Sequence, residues 1–281
     1  MRKVNEMYSA VKKSIWYIIM ILLGAFFILP ILWMVSNSFK TAPQMIIYPP
    51  QFIPNPVTLR SFTEGFSRLP IVNYTRNSIV VTFLSVLGNV FSSSLVGFGF
   101  ARLKARLKDF WFFMLLSTMM IPGFVTLLPT YILYSKLGFV NTYLPLVLPC
   151  FLGLPFYIFL LRQFFINMPS ELMDAGKIDG CSLFDIYFRI FLPNVKPAVL
   201  VVIIFSFANT WNDFFGPMIY LNSSKKYTLA VGIAFLKSTY GATLDLGPLM
   251  AVSLYSVLPI IVLYIFAQKY FVQGIVTTGL K

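Results

Sequence analysis

The 281 residues contain no histidine at all. Imidazole metal ligands, Ser-His and Cys-His nucleophile pairs and the usual general base near neutral pH are therefore excluded. Cysteine is nearly absent too, and Cys150 and Cys181 fit no metal-ligand spacing. Charged residues are only 11% of the chain, against about 25% in an ordinary soluble domain. Acids are the scarcest of these, nine against 22 lysines and arginines. No G-x-x-x-x-G-K-[ST] loop occurs, so the chain has no phosphate cradle of its own. With no histidine, cysteine pair or carboxylate constellation, neither a catalytic residue nor a metal site is expected.

What the chain has instead is apolar length. Hydrophobic residues make up 58%, and several runs reach the roughly 20 residues that a membrane helix needs. Length and boundaries place six spans, at about 15–36, 73–100, 110–134, 143–166, 197–221 and 248–272. The expected fold is all-α, a polytopic membrane helix bundle. The first run, Ile15 to Val35, is too long for the apolar core of a signal peptide and reads as a retained span. A net charge of +13 would suggest nucleic acid in a soluble protein. Here it fits the excess of basic residues in inner loops, and no nucleic-acid partner is expected. Arg102, Lys104, Arg106 and Lys108 crowd residues 101–109, and counting all loops gives fourteen basic residues to one side and eight to the other. Both termini and the 167–193 segment then face the cytoplasm, with 37–72 and 222–247 outside. The two cysteines fall on opposite sides of the membrane centre in this topology, and free thiols are expected. Prolines 43, 49, 50, 54, 56 and 70 forbid a long helix in the first outer loop. Others, at 30, 122, 129, 149, 155 and 259, fall inside spans as kinks or as parts of a gate. The chain divides into 1–72 (tail, first span and proline-rich loop), a core over 73–272, and a tail at 273–281.

Residues 167–193 interrupt the apolar pattern and hold four of the nine acids, Glu171, Asp174, Asp179 and Asp185. They read as two short helices. Ser170 suits an N-cap, with Glu171 and Asp174 in the first turn where the helix dipole favours acids. Asp179-Gly180 ends that helix, Gly180 supplying a positive φ or a close backbone approach to another surface. Ser182-Leu183-Phe184-Asp185 is a capping-box variant opening a second helix, expected to stop at Pro193. Leu183, Phe184, Tyr187, Phe188 and Phe191 give it an apolar face suited to a partner's groove.

Asp174-Ala175-Gly176, three residues, Gly180, nine residues, Ile190, one residue, Leu192-Pro193 resembles the EAA-x3-G-x9-I-x-LP loop of binding-protein-dependent (type I) ABC importer permeases. Asp174 stands for the family's Glu and Gly176 for its second Ala, which should weaken the helix by about 1 kcal/mol. Gly97-Phe98-Gly99-Phe100-Ala101-Arg102, Met120-Ile121-Pro122, Leu161-Arg162-Gln163-Phe164-Phe165, Trp211-Asn212-Asp213-Phe214, Lys226-Tyr227-Thr228-Leu229 and Lys269-Tyr270-Phe271-Val272-Gln273-Gly274 resemble the carbohydrate-uptake branch, in particular its shorter, maltose-permease-G-like subunit. Gly97 and Gly99 stand where that branch commonly has small alanines, with no consequence evident in the sequence. The resemblance implies six transmembrane helices of the type I permease fold in a bacterial or archaeal inner membrane. It implies a heterodimer with a companion permease, two ATP-binding subunits and an extracytoplasmic solute-binding protein, all within membrane lipid. ATP and Mg would then belong to the partner ATPase, with no cofactor on this chain. Glu171, Asp174, Ala175, Gly176, Asp179 and Gly180 would couple to that ATPase, and the cargo would be a sugar or oligosaccharide.

The competing reading is a self-contained ion-coupled secondary transporter. Such proteins need intramembrane carboxylates, and only Asp213 lies within an expected span. In the fifth span Ser206, Asn209, Asn212 and Asp213 share a helical face, with Trp211 nearby to stack on a sugar. They are candidates for the substrate pathway, or equally for hydrogen bonds between the two permeases.

Overall fold

The computed structural model of the protein describes residues 2–241 and 245–278, with side chains over 11–239, 241 and 245–268. Among these residues every regular element is helical. The chain forms two compact units, Met1–Pro70 with Ile233–Val257, and Ile71–Gly232 with Leu258–Lys281.

The first unit opens with α1 (Arg2–Ser38), whose side chains from Ile15 to Leu32 are almost all exposed. An exposed stretch that is apolar all round suits lipid or a partner subunit. The prolines then act as expected. Only the four-residue turn Ala42–Met45 forms before α2 (Arg60–Arg68) begins past Pro56. Arg60 fastens α2, pairing with Glu64 at 2.8 Å and Asp245 at 3.0 Å.

The second unit is built around α3 (Ile71–Arg102). It continues through α4 (Lys108–Ser117), α5 (Gly123–Lys136), α6 (Leu144–Phe151), α7 (Pro155–Ile166), α8 (Glu171–Ile178), α9 (Leu183–Asn194), α10 (Lys196–Trp211) and α11 (Phe215–Tyr220). Two further helices, α12 (Leu229–Tyr240) and α13 (Gly247–Thr278), complete the chain. Among the described residues four helices are long and apolar enough to cross a membrane, or up to six if the bent pairs α4–α5 and α9–α10 each count as one crossing.

The bent pairs correct the expected spans. The 110–134 span breaks by 97° before Gly123. Pro122 has no N–H to continue the helix and holds an extended ψ of 131°. The 197–221 span ends as helix at Trp211, because Asp213 caps a new turn instead of extending the old one. Pro155 likewise starts α7 rather than kinking it, whereas Pro30, Pro129, Pro149 and Pro259 do lie inside helices. The apolar helix α12 lies within 222–247, which reads from sequence as outer loop. Helix α13 runs on to Thr278, into the stretch set apart as a tail, and residues 279–281, Lys281 included, lie outside the described residues.

One face of α3 carries Ser78, Thr82, Ser85, Asn89 and Ser92, all buried. Small polar side chains at this spacing let membrane helices approach closely and bond across the gap. Asn89 donates to Ser206 on α10 at 2.7 Å, and Ser92 to the Cys150 carbonyl on α6 at 2.9 Å. At Gly97 a Cβ would stand 3.2 Å from the backbone of α7 at Ile158 and Arg162, so this glycine does have a consequence, a tight α3–α7 crossing. Cys150 and Cys181 are free.

Candidate functional site

The segment after α7 forms the two short helices that its sequence predicts, with a sharp turn between them. Helix α8 ends in a double cap, the Gly180 amide donating to the Lys177 carbonyl at 3.1 Å and the Cys181 amide to Gly176 at 2.9 Å. Gly180 has φ +75° and nothing within 4 Å of a would-be Cβ. Within this chain the demand on Gly180 is therefore its left-handed backbone, which glycine meets without strain. At the other end of α8 the expected cap is absent, because Ser170 has helical backbone angles and its side chain accepts no capping bond. Ser182 does cap α9, accepting from the Asp185 amide at 3.1 Å. Its hydroxyl also donates to the Asp185 carboxylate at 2.6 Å. That bond, aided by Arg189, holds the Asp185 carboxyl below its ordinary value.

Helix α9 does not stop at Pro193 but runs through Asn194, turning in π geometry over Ile186–Phe191 before an 80° bend into α10. Proline is tolerated there because the last three residues, Leu192–Asn194, form a fresh α turn after the π turn, with Pro193 among its first two positions. The π turn also changes which residues face inward. The five predicted apolar side chains divide, Tyr187 and Phe191 being buried with Ile186, while Leu183, Phe184 and Phe188 stay exposed, as does Ile178 of α8.

The buried side chains root the loop in the helix bundle. Phe191 sits 5.2 Å from Phe98 of α3 and 6.3 Å from Phe165 of α7, ring centre to ring centre. Tyr187 lies 5.3 Å from Phe98, and its hydroxyl meets Ser94 at 2.6 Å. Arg102, at the end of α3, donates to the carbonyls of Phe165 at 2.5 Å and of Met168, and its guanidinium lies 5.1 Å from the Phe191 ring. Both carbonyls lie at or just past the end of α7, so one arginine joins α3, α7 and α9. In the sequence Arg102 stands out as a basic marker and as part of the Gly97-to-Arg102 stretch of the resemblance, neither of which reveals this role. Its place six residues before a proline-free apolar helix carries no local sign of this role.

Of the coupling candidates, Glu171, Asp174, Ala175, Asp179 and Gly180 are exposed, and Gly176 is buried. A Cβ on Gly176 would come within 2.9 Å of Ile186 and 3.1 Å of Ile190. The glycine that should only weaken α8 is the point where α8 rests on α9. The fifth-span candidates separate. Ser206 is buried and takes the Asn89 bond, and Trp211 is buried, stacked on Phe207 at 5.5 Å. Asn209 reaches the Tyr157 hydroxyl at 3.4 Å, Asn212 turns back to its own helix at the Ala208 carbonyl, and Asp213 accepts from the Gly216 amide. The polar row on α3 is a further feature of the bundle, and its spacing of three and four residues within an apolar span is legible in the sequence.

Residues 93–277 match the model of the family described as binding-protein-dependent transport system inner membrane component. The chain belongs to this family. The permease is 33% identical over 257 residues to the arabinooligosaccharides transport system permease protein AraQ of Halalkalibacterium halodurans, covering 90% of this chain and 91% of that protein. It is 27% identical to the lactose transport system permease protein LacG of Rhizobium radiobacter over 88% and 89% of the two chains. Its fold matches a chain in the crystal structure of a bacterial ABC transporter involved in the import of the acidic polysaccharide alginate, at TM-score 0.79 and 21% identity, covering 92% of this chain and 97% of that one. The permease is thus a multi-pass membrane transport component rather than a catalytic chain. An ion-coupled mechanism is not favoured, and Asp213, the one acid it could use, caps α11.

Proposed function

We propose that the permease carries a sugar or short glycan into the cytoplasm and is driven by a separate ATP-hydrolysing subunit that docks on α8 and α9. The observation that carries this is the two-sided loop. Ile178, Leu183, Phe184 and Phe188 are presented outward, whereas Ile186, Tyr187 and Phe191 are fixed among α3 and α7. A surface that binds a moving partner while rooted in the membrane core can pass that motion to the bundle. The names of the relatives, transporters of arabino-oligosaccharides and of lactose, support a sugar as cargo. The reading includes a companion permease, two ATP-binding subunits that hold ATP and Mg, an external solute-binding protein, and both termini in the cytoplasm. Glu171, Asp174, Ala175, Asp179 and Gly180 would meet the ATPase, and Asn209 and Asn212 would meet the cargo.

Two measurements test it. In a cysteine-free background, single cysteines at the exposed Ser182 and Ser224 should label oppositely with a membrane-impermeant reagent on whole cells. Labelling only at 224 is expected, and labelling at 182 would reverse the topology. For docking, Gly180→Ala should strain the turn by about 1–2 kcal/mol, leaving insertion intact and lowering ATPase retention. Gly180→Asn should do less harm, because asparagine tolerates the left-handed region. An asparagine variant worse than alanine would show that side-chain bulk at the partner surface, not φ, is what matters there.

A further inference from the structure

Between α3 and α4 the chain makes a tight basic turn. Leu107 holds φ 59° to close it. A cavity of about 490 Å³ opens in the turn, lined by Lys104, Ala105, Leu107, Lys108, Asp109 and Phe110. The nearby charges differ in how far they are already engaged. Arg102 is committed to carbonyls on the far side, and Asp109 faces Arg162 at 3.7 Å. Lys108 reaches only the Leu103 carbonyl, at 3.4 Å, and among the described residues Lys104 and Arg106 have no partner. Two cations, Lys104 and Lys108, thus line a cavity whose one acid is already paired, with Arg106 in the same turn. The cavity is also the start of α4, where unpaired amides favour an anion. Beyond it Phe110, Trp111 and Phe113 are more than half exposed, an aromatic edge of the kind that sits at the membrane interface.

We propose that this turn holds the phosphate of an anionic phospholipid, Lys104 and Lys108 gripping the headgroup while Phe110 and Trp111 lie along its acyl chains. A free phosphate shares the anionic chemistry but would make no use of the aromatic edge, and this favours the lipid. Each basic residue near a membrane surface is worth about a fivefold preference for anionic lipid.

The test uses the whole transporter in nanodiscs, which present the same lipids on both faces, so the outcome does not depend on the sidedness proposed above. A photoreactive phosphatidylglycerol and its phosphatidylcholine analogue are crosslinked in parallel, and labelled peptides are located by mass spectrometry. Phosphatidylglycerol should label residues 102–113 well above phosphatidylcholine. Lys104→Gln and Lys108→Gln should each reduce that labelling about fivefold, and Lys13→Gln, an exposed lysine on α1, should not. Equal labelling by the two lipids, or loss in the Lys13 variant to the same extent, overturns the proposal. Displacement of the lipid by millimolar inorganic phosphate overturns it in favour of a soluble anion, and loss of the ATPase from the Lys104 and Lys108 variants does so in favour of a protein contact.

Discussion

Phe191→Ala is expected to uncouple the transporter, leaving ATP hydrolysis measurable while uptake falls by at least about tenfold, the factor that 1.4 kcal/mol supplies. Phe191 is completely buried and touches Phe98, Phe165 and Arg102, which belong to α3, α7 and the end of α3. Removing a buried phenyl ring costs about 3–5 kcal/mol in a soluble core. Near a bilayer the transfer part is smaller, since lipid is as apolar as the core, and the packing part remains. The low end of that range is therefore the expectation, read as a fall in the thermal midpoint of the purified permease pair. Phe184→Ala provides the contrast. That ring is exposed, so its loss should leave the thermal midpoint unchanged and weaken ATPase retention instead. If Phe191→Ala keeps both stability and coupling at wild-type levels, motion does not pass from the loop to the bundle through this ring.

The division between Phe184 and Phe191 shows where sequence reasoning ends. Both rings read as one apolar face under a 3.6-residue period, and the π turn over Ile186–Phe191 re-registers them. Local determinants were legible. The Gly180 cap and the Ser182 cap depend on residues within five positions and formed as expected, whereas Ser170 failed because its backbone is already helical. Apolar length located the crossings but could not show that Pro122 and Asp213 break two of them, since proline inside a membrane helix is often tolerated. Hardest to read were long-range approaches. Nothing near Gly97, Arg102 or Gly176 in the chain announces the backbone, carbonyls or side chains they meet, which lie ten to more than sixty residues away.

Gly176 carries the second large effect, through contrast between two substitutions. Alanine there gains about 1 kcal/mol of helix propensity but sets a Cβ 2.9 Å from Ile186 and 3.1 Å from Ile190. Both contacts are side-chain carbons of isoleucine that can shift by a few tenths of an ångström, so gain and cost nearly cancel. Gly176→Ala should behave close to wild type. Leucine adds three more carbons in the same direction, well beyond the few tenths of an ångström by which the fully buried Ile186 can give. Overpacking of this kind costs typically 1–3 kcal/mol, and the easier release is for α8 to lift away from α9. Gly176→Leu should therefore separate the exposed row on α8 from Leu183, Phe184 and Phe188, removing the ATPase from the purified complex while the membrane helices remain folded. Co-purification of the ATPase with each variant, beside the thermal midpoint of the permease pair, measures this. Full retention with leucine would mean that the contact of α8 with Ile186 does not shape the docking surface, and that α8 takes its position from the partner alone.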